Sequence, residues 1–440
     1  MTAYWCERAW LGPGDVAAGV LVTVDGNRIT EVTTSETAPD GAFRLAGLTI
    51  PGFANCHSHA FHRALRGRTQ RESGSFWTWR DTMYAAAERL DPDSYYALAL
   101  ATYQEMVLAG YTAVGEFHYL HHGPDGAPYD DANAMGLALV AAATDAGIRI
   151  TLLDTCYLSA GFGEAPEGVQ CRFSDGDAAS WAERVVTLAA SAEVQDEHVR
   201  VGTAIHSVRA VPRADLLTVA KARPDAPVHV HLSEQVAENE ACVRAYGLTP
   251  AQLLSEEGVI DARLSAVHAT HLTAADRAAL GSSNAYACFC PTTERDLADG
   301  VGPATELAAA GARLTLGSDS HAVIDPFEEM RAVELDTRLA TQQRGHLRAA
   351  ALLVAATSTG HESLGFVDAG RIAVGQWADL VTIHDESPRT AGTGSGEETV
   401  VFAATSGDIS HLVAGGRRVD LDAAGVGARL THAIRDLVVS

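Results

Sequence analysis

Eight short apolar runs, each followed by residues with helical periodicity, recur between positions 45 and 320. Alternating strands and helices imply parallel strands joined by crossover helices. Eight such units predict a closed (β/α)8 barrel, although an open doubly wound sheet has the same alternation. The predicted strands are Leu45–Ile50 leading into His57, Thr112–His118, Ile148–Thr155, Val199–Ser207, Val228–Glu234, Leu264–His271, Ala285–Thr292 and Arg313–Ser320.

Both ends of the chain carry strand-like runs that lie outside this alternation. We therefore predict a TIM-like barrel with a small β-sandwich domain built from both termini. Residues 1–49 would form the first part of the sandwich, residues 50–369 the barrel, and residues 370–440 the second part. The terminal runs are Gly19–Val24, Arg28–Val32, Leu380–Ile383, Val400–Ala404, Ile409–Val413 and Arg417–Leu421.

Ionisable side chains fall at or just beyond the end of nearly every predicted barrel strand. Barrel enzymes place their catalytic groups at these carboxyl ends, so the pattern indicates an enzyme. The residues concerned are His57, His59, His118, Asp154, His206, His231, Glu234, His268, His271, Glu294, Asp319 and His321.

His57 and His59 are spaced so that both imidazoles point to the same side of an extended chain. A His-x-His pair is common by chance, so its meaning depends on further ligands elsewhere in the sequence. His231 and Asp319 would add a third imidazole and a carboxylate from strands five and eight. Such a donor set favours Zn²⁺ or Fe²⁺ over Mg²⁺ or Ca²⁺.

The charge balance limits the classes of partner. Lys and Arg number 32 against 56 Asp and Glu, a net charge of −24. This surface repels phosphate backbones and anionic lipids, so we expect no nucleic acid or membrane partner, and an anionic substrate would need a local cationic pocket. The N-terminus lacks an apolar signal segment, and seven scattered cysteines are typical of free thiols, which together predict a cytoplasmic protein.

Four segments resemble the deaminase branch of the amidohydrolase superfamily: residues 51–60 (PGFANCHSHA), 231–234 (HLSE), 267–271 (VHATH) and 317–322 (GSDSHA). The resemblance covers the whole chain and implies one divalent metal, with Zn²⁺ expected and Fe²⁺ as the alternative. Lys221, the only lysine, lies in a predicted helix and could not bridge two metals. The implied metal ligands are His57, His59, His231 and Asp319, and the implied catalytic residues are Glu234, His268 and Asp319.

Substrate-side segments resemble the formimidoylglutamate deiminases of histidine degradation, a family within that branch. These segments are residues 61–67 (FHRALRG), 76–84, 118–119, 204–209 and 231–235. The resemblance implies hydrolysis of N-formimidoyl-L-glutamate to N-formyl-L-glutamate and ammonia, through addition of a metal-bound hydroxide to the amidine carbon. Arg80 and Arg209 would bind the two carboxylates of the substrate, and Tyr119 and His206 would donate further hydrogen bonds.

Two alternatives remain open at this point. Another enzyme of the branch would deaminate a purine or adenosine-type ring, and a non-catalytic barrel would serve as a scaffold. The ligand set argues against the scaffold, since all metal-binding positions are filled. The roles of His62 and His321 stay open, and we expect a homodimer that acts on a small dicarboxylate amidine.

Overall fold

The computed structural model describes residues 1–70, 76–435 and 437–438, which form two β-sheets and the helices packed around them. The strands are β1 (Thr2–Gly12), β2 (Asp15–Asp25), β3 (Arg28–Thr34), β4 (Phe43–Pro51), β5 (Phe53–Ser58), β6 (Tyr111–His118), β7 (Arg149–Cys156), β8 (Val199–Ile205), β9 (Val228–Leu232), β10 (Leu264–His268), β11 (Tyr286–Phe289), β12 (Arg313–Leu316), β13 (Leu380–Ile383), β14 (Ile409–Ala414) and β15 (Arg417–Arg418). The α-helices are α1 (Phe76–Ala87), α2 (Pro92–Leu108), α3 (Ala134–Ala146), α4 (Ala178–Ala190), α5 (Leu216–Lys221), α6 (Val236–Tyr246), α7 (Pro250–Glu256), α8 (Ala274–Ser282), α9 (Pro291–Asp296), α10 (Ala304–Ala310), α11 (Pro326–Thr341), α12 (Ala349–Ala356), α13 (Ser358–Ser363), α14 (Glu397–Phe402) and α15 (Ala423–Arg435).

Strands β5 to β12 pair in sequence order, all parallel, and form a nearly closed barrel. The residues just beyond β12 close it, because the N–H groups of Ser318 and Asp319 donate to the carbonyl oxygen of His57 at 3.1 and 2.9 Å. Gly317 makes this approach possible, since a Cβ there would lie 2.7 Å from the Cβ of His57. The predicted barrel is confirmed, and its closure joins His57 to Asp319.

Strands from both ends of the chain form one seven-stranded mixed sheet, in the order β15-β14-β13-β4-β1-β2-β3. The N-terminal strand β4 pairs antiparallel with the C-terminal strand β13, with Ile50 opposite Val381. The prediction that the two termini build one β unit is therefore confirmed.

Two strand predictions were wrong in detail. Leu45–Ile50 belongs to the terminal sheet as part of β4, and the first barrel strand is β5, which itself contains His57. The chain passes between the sheets at Gly52, where a Cβ would lie 2.4 Å from Oγ1 of Thr112. The run Val400–Ala404 falls mostly in helix α14, because a short buried apolar run has no periodicity that separates strand from helix.

The terminal sheet is fixed to the barrel by a buried ion pair. Arg149, the first residue of β7, donates from Nη2 to Oδ2 of Asp379 at 2.6 Å, and both side chains are almost fully buried. Helix α15 packs along α2, where Nε of Arg429 donates to Oε1 of Gln104 at 2.8 Å. Among the described residues, no helix is both long and apolar enough to cross a membrane.

Candidate metal centre and substrate pocket

The four predicted metal ligands meet at the carboxyl ends of β5, β9 and β12. Oδ1 of Asp319 lies 3.4 Å from Nε2 of His57 and 3.3 Å from Nε2 of His59, and Nε2 of His231 lies 3.0 Å from Nε2 of His57. Ligand atoms on one tetrahedral Zn²⁺, with bonds of about 2.0–2.1 Å, are about 3.3 Å apart. His57, His59 and Asp319 therefore have the spacing of ligands on a single ion, and His231 adjoins this group through His57.

The protonation pattern of His59 supports the same conclusion. Its Nδ1 lies 2.9 Å from the carbonyl oxygen of Phe117, which can only accept, so Nδ1 carries the proton. Burial and neighbouring His57 lower the pKa of His59 to about 3, so the ring is neutral and its Nε2 lone pair faces Asp319. Burial alone would raise the pKa of Asp319, but contacts with His57, His268 and His59 outweigh it and lower that pKa. Two hydrogen-bond acceptors, Nε2 of His59 and Oδ1 of Asp319, therefore face each other, and a cation bound between them would satisfy both.

Glu116, which the sequence reasoning missed, supports the segment between the paired histidines. Its Oε2 accepts the hydroxyl of Ser58 at 2.6 Å and its Oε1 accepts the N–H of Ala60 at 2.7 Å. Burial raises the pKa of Glu116 to about 7. The available signal was a lone carboxylate within the otherwise apolar run Tyr111–His118, since such a group is rarely buried without a specific partner.

His321 belongs to the same buried polar cluster. Its Nε2 lies 3.2 Å from Oγ of Ser58 and its Nδ1 lies 2.9 Å from Oγ of Ser318. His321 therefore contacts the residue that follows His57 and the residue that precedes Asp319, so it packs beneath the ligands rather than among them.

His268 and Glu234 lie beside the ligand cluster. Nε2 of His268 is 3.9 Å from Oε1 of Glu234 and 3.8 Å from Oδ2 of Asp319. Burial raises the pKa of Glu234 to about 7; Asp319 adds to that effect and His268 opposes it. Burial lowers the pKa of His268, but Glu234, Glu294 and Asp319 outweigh it and raise that pKa well above the ordinary value. The two groups are placed to exchange protons with a molecule bound between them.

The predicted metal-binding, catalytic and substrate-binding residues, with the exception of His57, line one pocket of about 670 Å³ that is open to solvent. His57 is fully buried behind the pocket wall. The lining includes residues that the sequence reasoning did not select, among them Trp79, Tyr157 and Glu238. His62 also lines it, and its Nε2 lies 2.9 Å from the hydroxyl oxygen of Tyr119.

Two arginines supply positive charge to the pocket. Arg209 is half-buried and donates from Nη1 to the carbonyl oxygen of Ala160 at 3.0 Å. Burial lowers the pKa of Arg209, but Glu238 and Tyr157 outweigh it, so the net shift is upward and the guanidinium stays charged. The guanidinium of Arg80 lies 5.4 Å from the ring centroid of Tyr84. Both arginines also line an outer depression of about 1160 Å³ that contains Arg244.

His118 and Asp154 do not join this site, although both lie near strand ends. Ring nitrogens of His118 and His121 and a carboxylate oxygen of Asp154 lie within 4.8 Å of one another. Both oxygens of Asp154 already accept from Arg184, at 2.8 and 2.9 Å, and Oδ1 also accepts from Nε1 of Trp181 at 2.9 Å. This cluster is an internally paired ionic network.

Comparison with known proteins identifies several relatives of the chain. Residues 48–419 match the model of the family described as the amidohydrolase family. The chain is 38% identical to formimidoylglutamate deiminase from Pseudomonas aeruginosa over 438 residues, which covers 96% of this chain and 95% of that protein. It is 28% identical to a 5-methylthioadenosine/S-adenosylhomocysteine deaminase from Halobacterium salinarum, over 90% of this chain and 87% of that protein.

A similar solved structure is the crystal structure of an amidohydrolase from Brucella melitensis. It superposes with a TM-score of 0.89 at 33% sequence identity, covering 99% of this chain and 100% of that one. The likeness therefore extends over both the barrel and the terminal sheet.

Proposed function

This chain belongs to the amidohydrolase family, and on that premise we propose that it hydrolyses N-formimidoyl-L-glutamate to N-formyl-L-glutamate and ammonia. The observation that carries the proposal is one pocket that combines a metal-ligand cluster with Arg80 and Arg209. The 38% identity to a formimidoylglutamate deiminase supports the same substrate.

His57, His59, His231 and Asp319 would hold one divalent metal, which we propose is Zn²⁺, with Fe²⁺ compatible with the same donors. Such an ion, when bound, supplies a water with its pKa lowered from 15.7 to about 7. The protein's own contribution is to orient the substrate and to move protons at defined atoms.

The proton path uses the groups beside the ligands. Oδ2 of Asp319 takes the proton of the attacking water, and Nε2 of His268, 3.8 Å from that oxygen, orients the water. Glu234, 3.9 Å from His268, delivers a proton to the formimidoyl nitrogen. A new C–O bond forms at the amidine carbon and its C–N bond to the terminal nitrogen breaks. Ammonia leaves and the formyl amide remains.

The two pocket arginines would allow a protein of net charge −24 to bind a dicarboxylate substrate, because they supply positive charge locally. Planar guanidinium groups bind carboxylates through paired hydrogen bonds, and the charge-assisted contact is strongest where water is excluded. We assign the two carboxylates to Arg80 and Arg209, with Tyr119 and His206 donating further hydrogen bonds across the same pocket.

The test replaces each pocket arginine by methionine and measures ammonia release from N-formimidoyl-L-glutamate. Loss of a buried charged hydrogen bond costs about 2 kcal/mol or more, so kcat/KM should fall by about 30-fold or more in Arg80→Met and in Arg209→Met. Metal content should stay at the wild-type level, because neither residue is among the predicted metal ligands.

Arg244→Met is the matched control. Arg244 lines the outer depression, its side chain is 70% exposed, and it pairs with Glu240 at 3.7 Å. Its kcat/KM should stay near that of the wild type. Full kcat/KM in both Arg80→Met and Arg209→Met would show that the assigned substrate is wrong.

A further inference from the structure

His268 has a buried carboxylate partner that the proposed reaction does not use. Its Nδ1 lies 3.3 Å from Oε1 of Glu294, while its Nε2 faces Glu234 and Asp319. His268 is 1% exposed and has a backbone φ of +66°, a left-handed conformation that is uncommon for a residue with a side chain. Such strain persists only where surrounding contacts hold the residue in place.

Glu294 is itself held rigidly. It lies in α9, directly after β11, and its side chain is almost fully buried. Its Oε1 accepts the backbone N–H of Cys290 at 2.8 Å, and its own N–H donates to the carbonyl oxygen of Cys290 at 2.9 Å. The carboxylate is therefore anchored to the end of one strand and reaches the histidine at the end of the neighbouring strand.

These contacts determine which ring nitrogen of His268 carries a proton. Oε1 of Glu294 already accepts from Cys290, so it is an acceptor, and Nδ1 of His268 must be the donor. Nε2 is then the nitrogen that faces the reacting groups, with its lone pair when the ring is neutral and with its N–H when the ring is protonated.

We propose that Glu294 is a positioning residue that fixes the ring of His268 and its Nδ1–H tautomer, so that Nε2 is always presented to the substrate pocket. This inference rests on the proposed function, since it assigns a supporting group to the proton path of that reaction. A histidine that can rotate about its side-chain bonds, or adopt the other tautomer, spends part of its time with Nε2 out of place for the attacking water.

Two substitutions separate this role from simple packing. Glu294→Gln keeps the volume and the acceptor, because the Cys290 N–H holds the amide oxygen where Oε1 now lies. Glu294→Met keeps a similar volume and replaces the carboxylate by a thioether, which is only a weak acceptor. We expect kcat to stay within about tenfold of the wild type in Glu294→Gln and to fall by about 100-fold or more in Glu294→Met, with KM changing little in both.

Glu329→Gln is the matched control. Glu329 is fully buried and accepts from the N–H and the hydroxyl of Thr292, two residues before Glu294. Within the described part of the chain, no hydrogen bond or ion pair joins Glu329 to His268. Its kcat should stay at the wild-type level, and all variants should retain metal content.

A readout independent of turnover is the tautomer of His268, measured by long-range ¹H–¹⁵N correlation in ¹⁵N-histidine-labelled protein and assigned with His268→Asn. We expect a protonated Nδ1 in the wild type and in Glu294→Gln, and loss of that single state in Glu294→Met. Unchanged kcat in Glu294→Met, or a wild-type His268 without a proton on Nδ1, would overturn the inference. A wild type that releases no ammonia from N-formimidoyl-L-glutamate would instead refute the proposed function, and the tautomer would still test Glu294.

Discussion

The buried carboxyl of Glu116 should make the stability of the metal-free protein depend on pH in a defined direction. Burial raises its folded-state pKa to about 7, against 4.5 for the exposed group. A carboxyl group whose pKa is raised in the folded state stabilises the fold fully only at pH values below its unfolded-state pKa. That stability is lost as the pH rises towards and through the folded-state pKa. The loss should therefore fall between about pH 4.5 and pH 7.

The size of the effect follows from the two pKa values. Each pKa unit between the folded and unfolded states is worth about 1.36 kcal/mol, so full ionisation of Glu116 costs about 3 kcal/mol, most of which falls between pH 5 and pH 8. With an unfolding entropy of about 2.1 cal/mol/K per residue, a 440-residue chain changes its Tm by about 1 °C per kcal/mol.

Glu116→Gln removes the ionisation and keeps the shape of the side chain. The amide can accept the Ala60 N–H and donate to Ser58, whose hydroxyl can turn towards Nε2 of His321 at 3.2 Å. Calorimetry on metal-free protein gives the Tm of the variant minus the Tm of the wild type. This difference should be about 2–3 °C larger at pH 8 than at pH 5.

Glu183→Gln is the control, because Glu183 is an exposed carboxylate on α4. The difference in Tm between Glu183→Gln and the wild type should be the same at pH 5 and at pH 8. The reasoning is refuted if the Tm difference for Glu116→Gln is equally independent of pH, or if it favours the wild type more at pH 8.

Two further predictions concern the metal and the proton carrier. Chelation should abolish ammonia release and added Zn²⁺ should restore it, whereas His231→Ala should bind less than one Zn²⁺ per chain by atomic absorption and recover no activity. Glu234 must be protonated to deliver its proton, and burial raises its pKa to about 7, so kcat/KM should fall as the pH rises through about 7. Glu234→Gln should lower kcat by about 100-fold or more, and a variant with wild-type kcat would exclude this role.

The barrel and the convergence of the candidate metal ligands could be predicted because both depend on local patterns. Strand–helix alternation fixes the parallel order of the strands, and carboxyl strand ends meet at one face, so His57, His231 and Asp319 converge without knowledge of the packing. The same rule misplaced His118. The ring of Phe117 stacks on His231 at 4.3 Å, inside the barrel, so the next residue along the strand points outward.

Supporting groups could not be predicted in this way. Glu116 and Glu294 act through contacts between strands or loops far apart in sequence, such as Ser58 with Glu116 and His268 with Glu294. Hydrophobic periodicity predicts which face of a helix or strand is buried. It does not predict which polar group from another part of the chain contacts a buried carboxylate. Glu294 was noted only for its position at a strand end, and its partner emerged from the three-dimensional arrangement.

The most direct test compares substrates on one preparation of Zn²⁺-loaded wild-type protein. Ammonia release is measured with N-formimidoyl-L-glutamate, guanine and 5′-deoxyadenosine under identical conditions. The proposed function predicts that N-formimidoyl-L-glutamate has by far the highest kcat/KM, and that activity follows metal content. Preferred turnover of either ring substrate, or no ammonia from any of the three with stoichiometric Zn²⁺ bound, would contradict it.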